Sequence, residues 1–102
     1  MKAMIRLSAQ VEEFVGTLPP QSKRDVRSGL RALADGRGDV RRLEAELEGF
    51  CRLRVGRYRI IYRHLNLGGE PVISCEFAEA RSIIYEAFAE ELQRRLASAG
   101  RV

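Results

Sequence analysis

The chain has 102 residues, 45% of them hydrophobic and 31% charged, the balance of one soluble globular domain spanning residues 1–102 rather than a disordered chain. No apolar run approaches the roughly twenty residues of a membrane span, and Cys51 and Cys75 give neither a disulfide framework nor zinc-ligand spacing. The net charge of +4 is local: Phe50–Arg63 holds five arginines and no acid, while the other 88 residues carry 13 Lys/Arg against 14 Asp/Glu. Such an excess marks a binding face rather than a generally sticky surface. The amino terminus, Met1-Lys2-Ala3-Met4-Ile5-Arg6, has no signal-peptide apolar stretch, so a cytoplasmic location is expected.

In chain order, Met4–Leu7 reads as a short strand. Ser8 suits the N-cap of a helix from Ala9 to about Thr17, with Val11, Phe14, Val15 and Leu18 as its apolar stripe. Pro19-Pro20 ends that helix and opens a second, since proline fits a helix's first turn. The second helix runs to about Asp35, burying Val26, Leu30, Leu33 and Ala34 and leaving Lys23, Arg24, Arg27 and Arg31 in solvent. Gly36-Arg37-Gly38-Asp39 stops it, and the pair reads as a helical hairpin. Val40–Gly49 fits either a helical turn, from the spacing of Leu43 and Leu47, or an extended connection. Its Glu44, Glu46 and Glu48 are expected to act as local counter-charge.

Phe50–Arg63 has the pattern of a β-hairpin. With Gly56-Arg57 as a two-residue turn of the II′ kind, Val55 faces Tyr58, Leu53 faces Ile60 and Cys51 faces Tyr62, all apolar. On the other face Arg54 meets Arg59, Arg52 meets Ile61 and Phe50 meets Arg63. A one-residue slip would drive the arginines into the core, so the pattern selects its own register. Opposed like charges destabilise a strand pair, so this face asks for an anion, from the chain or from outside. Asn66-Leu67-Gly68-Gly69 is a turn, and Pro71–Ala78 a strand with Ile73, Cys75 and Phe77 on the apolar parity. Glu76 then shares the arginine face, as the internal partner for Arg59 or Arg54. Both cysteines read as core packing. Ala80–Ala97 is helical in pattern, with Ile84, Phe88, Leu92 and Leu96 at spacing four and Arg81 and Tyr85 one turn apart. The fold class is α+β: an N-terminal strand and helical hairpin packed on an antiparallel β-sheet, with a C-terminal helix. The helices are expected on the apolar face, leaving the arginine face relatively open. The stretch Glu86–Val102 is expected to complete the core, in preference to covering the site, docking a partner or pairing with another copy.

The run Leu47-Glu48-Gly49-Phe50-x-Arg52-Leu53-Arg54-Val55-Gly56-x-Tyr58-Arg59-Ile60-Ile61-Tyr62 resembles the core signature of the RelE/ParE toxin superfamily. Arg81-Ser82-Ile83-Ile84-Tyr85 is similar to that family's closing Arg-x-x-x-Tyr element, and the resemblance spans roughly Met4 to Tyr85. It implies a type II toxin neutralised by a cognate antitoxin, as a homodimer or a toxin–antitoxin heterotetramer. RelE-like members cut mRNA in the ribosomal A site without metal or other cofactor, by attack of the ribose 2′-OH on the adjacent phosphate. ParE-like members keep the fold and inhibit DNA gyrase.

Metal-free cleavage needs a base for the 2′-OH, stabilisation of a dianionic phosphorane and an acid for the leaving oxygen. The resemblance assigns Arg59, Arg81, Tyr85 and Arg52 to a catalytic set. Arg54, Arg57 and Arg63 are expected to hold flanking RNA phosphates, a role guanidinium forks suit. Tyr85 stacks on a base or assists proton transfer. No base is evident: Phe50 and Arg52 stand where RelE-like enzymes often have lysines, and Arg57 where others have glutamate. Arginine keeps its proton. His64, the only histidine, falls on the apolar parity and reads as structural; Glu79 reads as an ion-pair partner of Arg81 rather than a base. An endoribonuclease halting translation is therefore the first reading and a non-catalytic gyrase inhibitor the second. A plain nucleic-acid-binding module is the third, although it would not need the Arg81–Tyr85 element.

Overall fold

The computed structural model describes residues 2–100; the ends of the sequence, including Arg101 and Val102 of the expected C-terminal stretch, lie outside them. The elements follow in the order β1 (Met4–Leu7), α1 (Ala9–Gly16), α2 (Pro20–Ala34), β2 (Asp39–Arg42), a 3-10 turn (Ala45–Leu47), β3 (Cys51–Val55), β4 (Tyr58–Leu67), β5 (Glu70–Ala80) and α3 (Ile84–Ala99). They form a five-stranded sheet in the spatial order β1-β5-β4-β3-β2. The sheet is mixed: β1 runs parallel to β5, and the remaining neighbours are antiparallel. The α+β class holds. Among the described residues no helix is long and apolar enough to cross a membrane.

The helical hairpin forms for the reasons its sequence gives. Ser8 Oγ accepts the Val11 N–H at 3.2 Å, capping α1, and Pro20 occupies the first turn of α2. Val11, Val15, Val26, Leu30 and Leu33 pack on Leu53, Ile60, Tyr62, Ile73 and Cys75 of the sheet. Cys51 also packs against this cluster, and both thiols are free. The approach is close at Gly29, where a Cβ would lie 2.7 Å from Val55 Cγ2.

The hairpin has the register read from its pattern, with Val55 opposite Tyr58, Leu53 opposite Ile60, Cys51 opposite Tyr62 and Arg54 opposite Arg59. Gly56 takes φ +58°, whereas Arg57 is not among the positive-φ residues. That combination fits a turn with glycine first and an ordinary residue second.

One open alternative is resolved and two expectations need correction. The stretch after α2 is extended and then helical: β2 pairs with β3 at the sheet edge, and Ala45–Leu47 makes a helical turn. Next, a β-bulge sets Ile61 opposite Phe77 but Tyr62 opposite Cys75, leaving Glu76 between them. One extra residue reverses side-chain parity, so Phe77 leaves the Cys75 face and joins Ile61, Leu47, Ile84 and Phe88 in a second core. That core is roofed by α3, so the arginine face is not open along its whole length. Finally, α3 begins at Ile84, and Arg81 lies in the preceding turn rather than on the helix. Ile84 and Phe88 are wholly buried, yet Leu96 is 68% exposed; the helix completes the core as far as Leu92.

Candidate phosphate-binding site

Half of the face opposite α1 and α2 is taken by α3; the half toward the β3–β4 turn holds charge. Register places Arg52 beside Arg41, Asp39 beside Arg54, and Arg54 opposite Arg59. Of the opposed arginines, Arg54 receives an internal anion, Asp39, which it shares with Arg52. Arg52 Nη1 lies 3.2 Å from Asp39 Oδ1 and donates also to the Asp39 carbonyl at 3.1 Å, while Arg54 Nη1 lies 3.8 Å from Oδ2. Sequence reasoning treated Asp39 only as part of a helix stop. The missed signal was a lone acid just ahead of the basic ribbon, within reach of one more antiparallel strand. The expected counter-charges Glu44, Glu46 and Glu48 are exposed and form no ion pair among the described residues.

Arg59 sits at the centre. Its Nη1 donates to the carbonyls of Gly56 at 2.8 Å and Tyr58 at 2.9 Å, which anchors the guanidinium at the hairpin tip and leaves its other N–H groups unpaired among the described residues. Burial, then the charges of Arg54 and Arg52, depress its pKa, with a smaller contribution from Arg81; Tyr85 acts in the opposite sense. Arginine still keeps its proton at ordinary pH. Register gathers Arg52, Arg54 and Arg59 on one face; the charges of Arg81 and Tyr85 act on Arg59 with no hydrogen bond to it among the described residues. Against these guanidiniums stand two carboxylates: Asp39, paired with Arg52 and Arg54, and Glu79, which register sets opposite Arg59. An anion with several oxygens relieves that repulsion and satisfies the free N–H groups together.

Arg81 is set by the turn after β5, where its backbone N–H donates to the Arg57 carbonyl at 2.8 Å. Tyr85 lies in the first turn of α3, 40% exposed. It lines a groove of about 240 Å³ with Arg41, Arg42, Leu43 and Glu44. The cationic surface therefore continues onto the edge strand, through arginines the sequence reading did not single out.

Two expected phosphate ligands lie elsewhere. Arg57 projects toward the helical hairpin, with its guanidinium 5.7 Å from the centre of the Tyr58 ring. Arg63 lies beyond Ile61, where its Nε is 3.3 Å from Glu76 Oε2. Glu76 is thereby withdrawn from Arg59 and Arg54, contrary to its expected role. It is 7% exposed, accepts from Ser74 Oγ at 2.6 Å, and receives Arg95 Nη1 from α3 at 2.8 Å. Burial opposes its ionisation, but the hydrogen bonds of Ser74 and Arg95 and the charges of Arg63 and Arg95 prevail, holding its carboxyl below the usual range. The bulged residue is a clamp between sheet and helix.

The proton-transfer candidates are few. His64 is exposed, stacked edge-on with Tyr62 at 5.6 Å, on the side its parity indicated. Glu79 is not paired with Arg81; its Oε1 accepts the Ala80 N–H at 3.1 Å, and it makes no ion pair among the described residues. These residues also offer no cluster of metal-ligating side chains.

No protein-family model matches the sequence, and no curated protein matches it. Solved structures do. The toxin–antitoxin complex RelBE2 of Mycobacterium tuberculosis has a chain that superposes with a TM-score of 0.66 at 21% identity, covering 80% of this chain and 94% of that one. The archaeal RelE–RelB complex of Pyrococcus horikoshii gives a TM-score of 0.56 at 26% identity, over 79% and 97%. A YoeB/ParE toxin of Agrobacterium tumefaciens gives 0.55 at 16% identity, over 76% and 97%.

Proposed function

The chain has the RelE-like toxin fold, and from that premise we propose that it is the toxin of a type II toxin–antitoxin pair, an endoribonuclease that cuts mRNA on the ribosome. What supports this reading is the set of arginines: Arg52, Arg54 and Arg59 gathered on one face by strand register, with Arg81 in the turn after β5 and the carboxylates Asp39 and Glu79 beside them. In the reaction, the ribose 2′-OH loses its proton and attacks the neighbouring phosphorus, and the P–O5′ bond breaks as O5′ takes up a proton. The products are a 2′,3′-cyclic phosphate and a 5′-hydroxyl. Arg59 and Arg81 stabilise the added charge of the phosphorane, where loss of one preorganised donor costs about 10²–10³ in rate. Arg52 and Arg54 hold the flanking backbone. Tyr85 stacks on a base or supplies its phenol proton to the leaving oxygen. The cluster is stronger in electrostatics than in proton transfer, so the ribosome is expected to assist in removing the 2′-OH proton.

A cognate antitoxin follows from the same reading, since two of the superposed chains come from complexes with RelB. Expression of the chain without that partner is expected to arrest growth by stopping translation, with relief by Arg59→Ala or Arg81→Ala. Persistent arrest in both variants would contradict the role given to these arginines. One observation favours a second, non-catalytic reading as an inhibitor of DNA gyrase: His64 packs edge-on against Tyr62, which belongs to the core under α1 and α2, so proton transfer at the arginines has no imidazole. Intact transcripts with induced DNA damage would select that alternative.

A further inference from the structure

The apolar stripe of α3 outruns the core beneath it. Ile84 and Phe88 are wholly buried, Leu92 packs only partly against the second core, and Leu96, next in the series, stands in solvent. Beside the last two lies a groove of about 480 Å³ bounded by Glu46, Ala89, Glu90, Leu92, Gln93 and Leu96. It shares no residue with the arginine cluster or with the groove beside Tyr85. We propose that it is a docking groove for a basic amphipathic helix of a partner protein. That helix sets aliphatic side chains against Ala89, Leu92 and Leu96, and its lysines or arginines against Glu46 and Glu90.

Ala89, Leu92 and Leu96 follow one another at spacings of three and four, so they form one strip along α3, the pattern by which a helix receives an apolar helix face. The opposite wall is preformed. Ala45–Leu47 makes its 3-10 turn with Leu47 buried in the second core, and Ala45 takes φ +55°, a conformation uncommon outside glycine that persists where its surroundings hold it. Glu46, between them, is exposed. Charge then selects the occupant. The chain carries +4 overall, yet this groove is bounded by two glutamates and no cation. Neither glutamate forms an ion pair among the described residues, and the nearby Arg94 and Arg95 are engaged by Glu91, Arg95 also by Glu76. Such a rim repels a nucleic acid, and a second copy joined groove to groove would set glutamates against glutamates. The cationic stripe of α2 in a second copy does not fill the groove either: it exposes Arg24, Arg27 and Arg31 but buries Val26, Leu30 and Leu33. A cationic helix with aliphatic anchors answers both the floor and the rim.

The test is a fluorescence-anisotropy titration of the purified full chain against three labelled synthetic peptides, each of about fourteen residues or roughly four helical turns. The first has leucines at spacings of three and four among lysines; the second replaces the lysines with glutamates; the third replaces the leucines with serines. The leucine–lysine peptide is expected to bind about tenfold more tightly than either control. Leu96→Ala, and separately the double variant Glu46→Lys with Glu90→Lys, should each weaken it about tenfold. All three side chains are exposed, so the circular dichroism spectrum should not change. Arg59→Ala should leave the peptide affinity unaltered, which separates this groove from the phosphate site. Equal binding of the leucine–lysine and serine–lysine peptides would overturn the proposal, as would preference for the glutamate peptide or an affinity indifferent to these substitutions. A dimer of the chain alone that Leu96→Ala dissociates, seen by sedimentation equilibrium, would give the groove to a second copy and equally overturn it.

Discussion

Glu76→Gln removes the charge of the bulged residue while keeping its shape. In the wild type this carboxylate accepts from Ser74 at 2.6 Å, Arg95 at 2.8 Å and Arg63 at 3.3 Å. Hydrogen bonds to charged groups contribute about 1.5–3 kcal/mol, neutral ones about 0.5–1.5 kcal/mol. Breaking a fully buried ion pair costs about 3–5 kcal/mol. Here the arginine side chains are 44% and 36% exposed, so they recover much of their hydration when the carboxylate is lost. A destabilisation of about 2 kcal/mol is expected, equivalent to a fall of roughly 10 °C in melting temperature. The pH dependence follows in sign. The folded-state pKa of Glu76 lies below its unfolded value of about 4.3. Its stabilisation is therefore complete above that unfolded value and lost as pH falls through the lower, folded one. Glu91, also held low by its hydrogen bond from Arg95, is present in both proteins and largely cancels in the comparison. Urea titrations followed by circular dichroism should show a constant gap between wild type and variant from about pH 5 to 8, shrinking below about pH 4. A gap under about 0.5 kcal/mol at neutral pH, the size of an ordinary surface change, or one that persists undiminished in acid, would refute the clamp.

Phe88→Ala should cost about 3–5 kcal/mol in the same titration, because Phe88 is wholly buried against Phe50 at 4.9 Å and Phe77 at 5.7 Å. Gly29→Ala sets a gain in helix propensity of about 1 kcal/mol against overpacking of about 1–3 kcal/mol. With its Cβ 2.7 Å from Val55 Cγ2 the clash is expected to prevail, and adding Val55→Ala should recover part of the loss in a double-mutant cycle. Burial pushes the Cys75 thiol up to about 12, so a thiol reagent at neutral pH should modify Cys75 only at the rate of unfolding, as read by mass spectrometry of the labelled peptides.

Much of this fold was written in short-range patterning. The hairpin register was legible because Leu53, Val55, Tyr58, Ile60 and Tyr62 alternate with arginines around a single Gly56 turn, and one face must be buried. The helical hairpin was legible through its cap, its prolines and its apolar stripes. What escaped depends on partners distant in sequence. Asp39–Arg42 carries no alternation because every residue of this edge strand is exposed; only its hydrogen bonds to β3 make it a strand. The bulge at Glu76 is equally silent, since it is the pairing of β4 with β5 that turns Phe77 to the opposite face. From that slip follows the packing of Phe77 with Ile61 under α3. Arg81 and Tyr85 were identified by resemblance, and Arg81 is placed by the turn before α3 rather than on a helix face shared with Tyr85.

The central claim is that the arginine cluster binds mRNA phosphates and promotes strand cleavage on the ribosome. Transcript 5′ ends mapped after induction of the chain in the absence of an antitoxin test it most directly. The account predicts new 5′-hydroxyl ends at defined positions within translated codons, lost in Arg59→Ala and Arg81→Ala. Transcripts that remain intact while growth stops would contradict it.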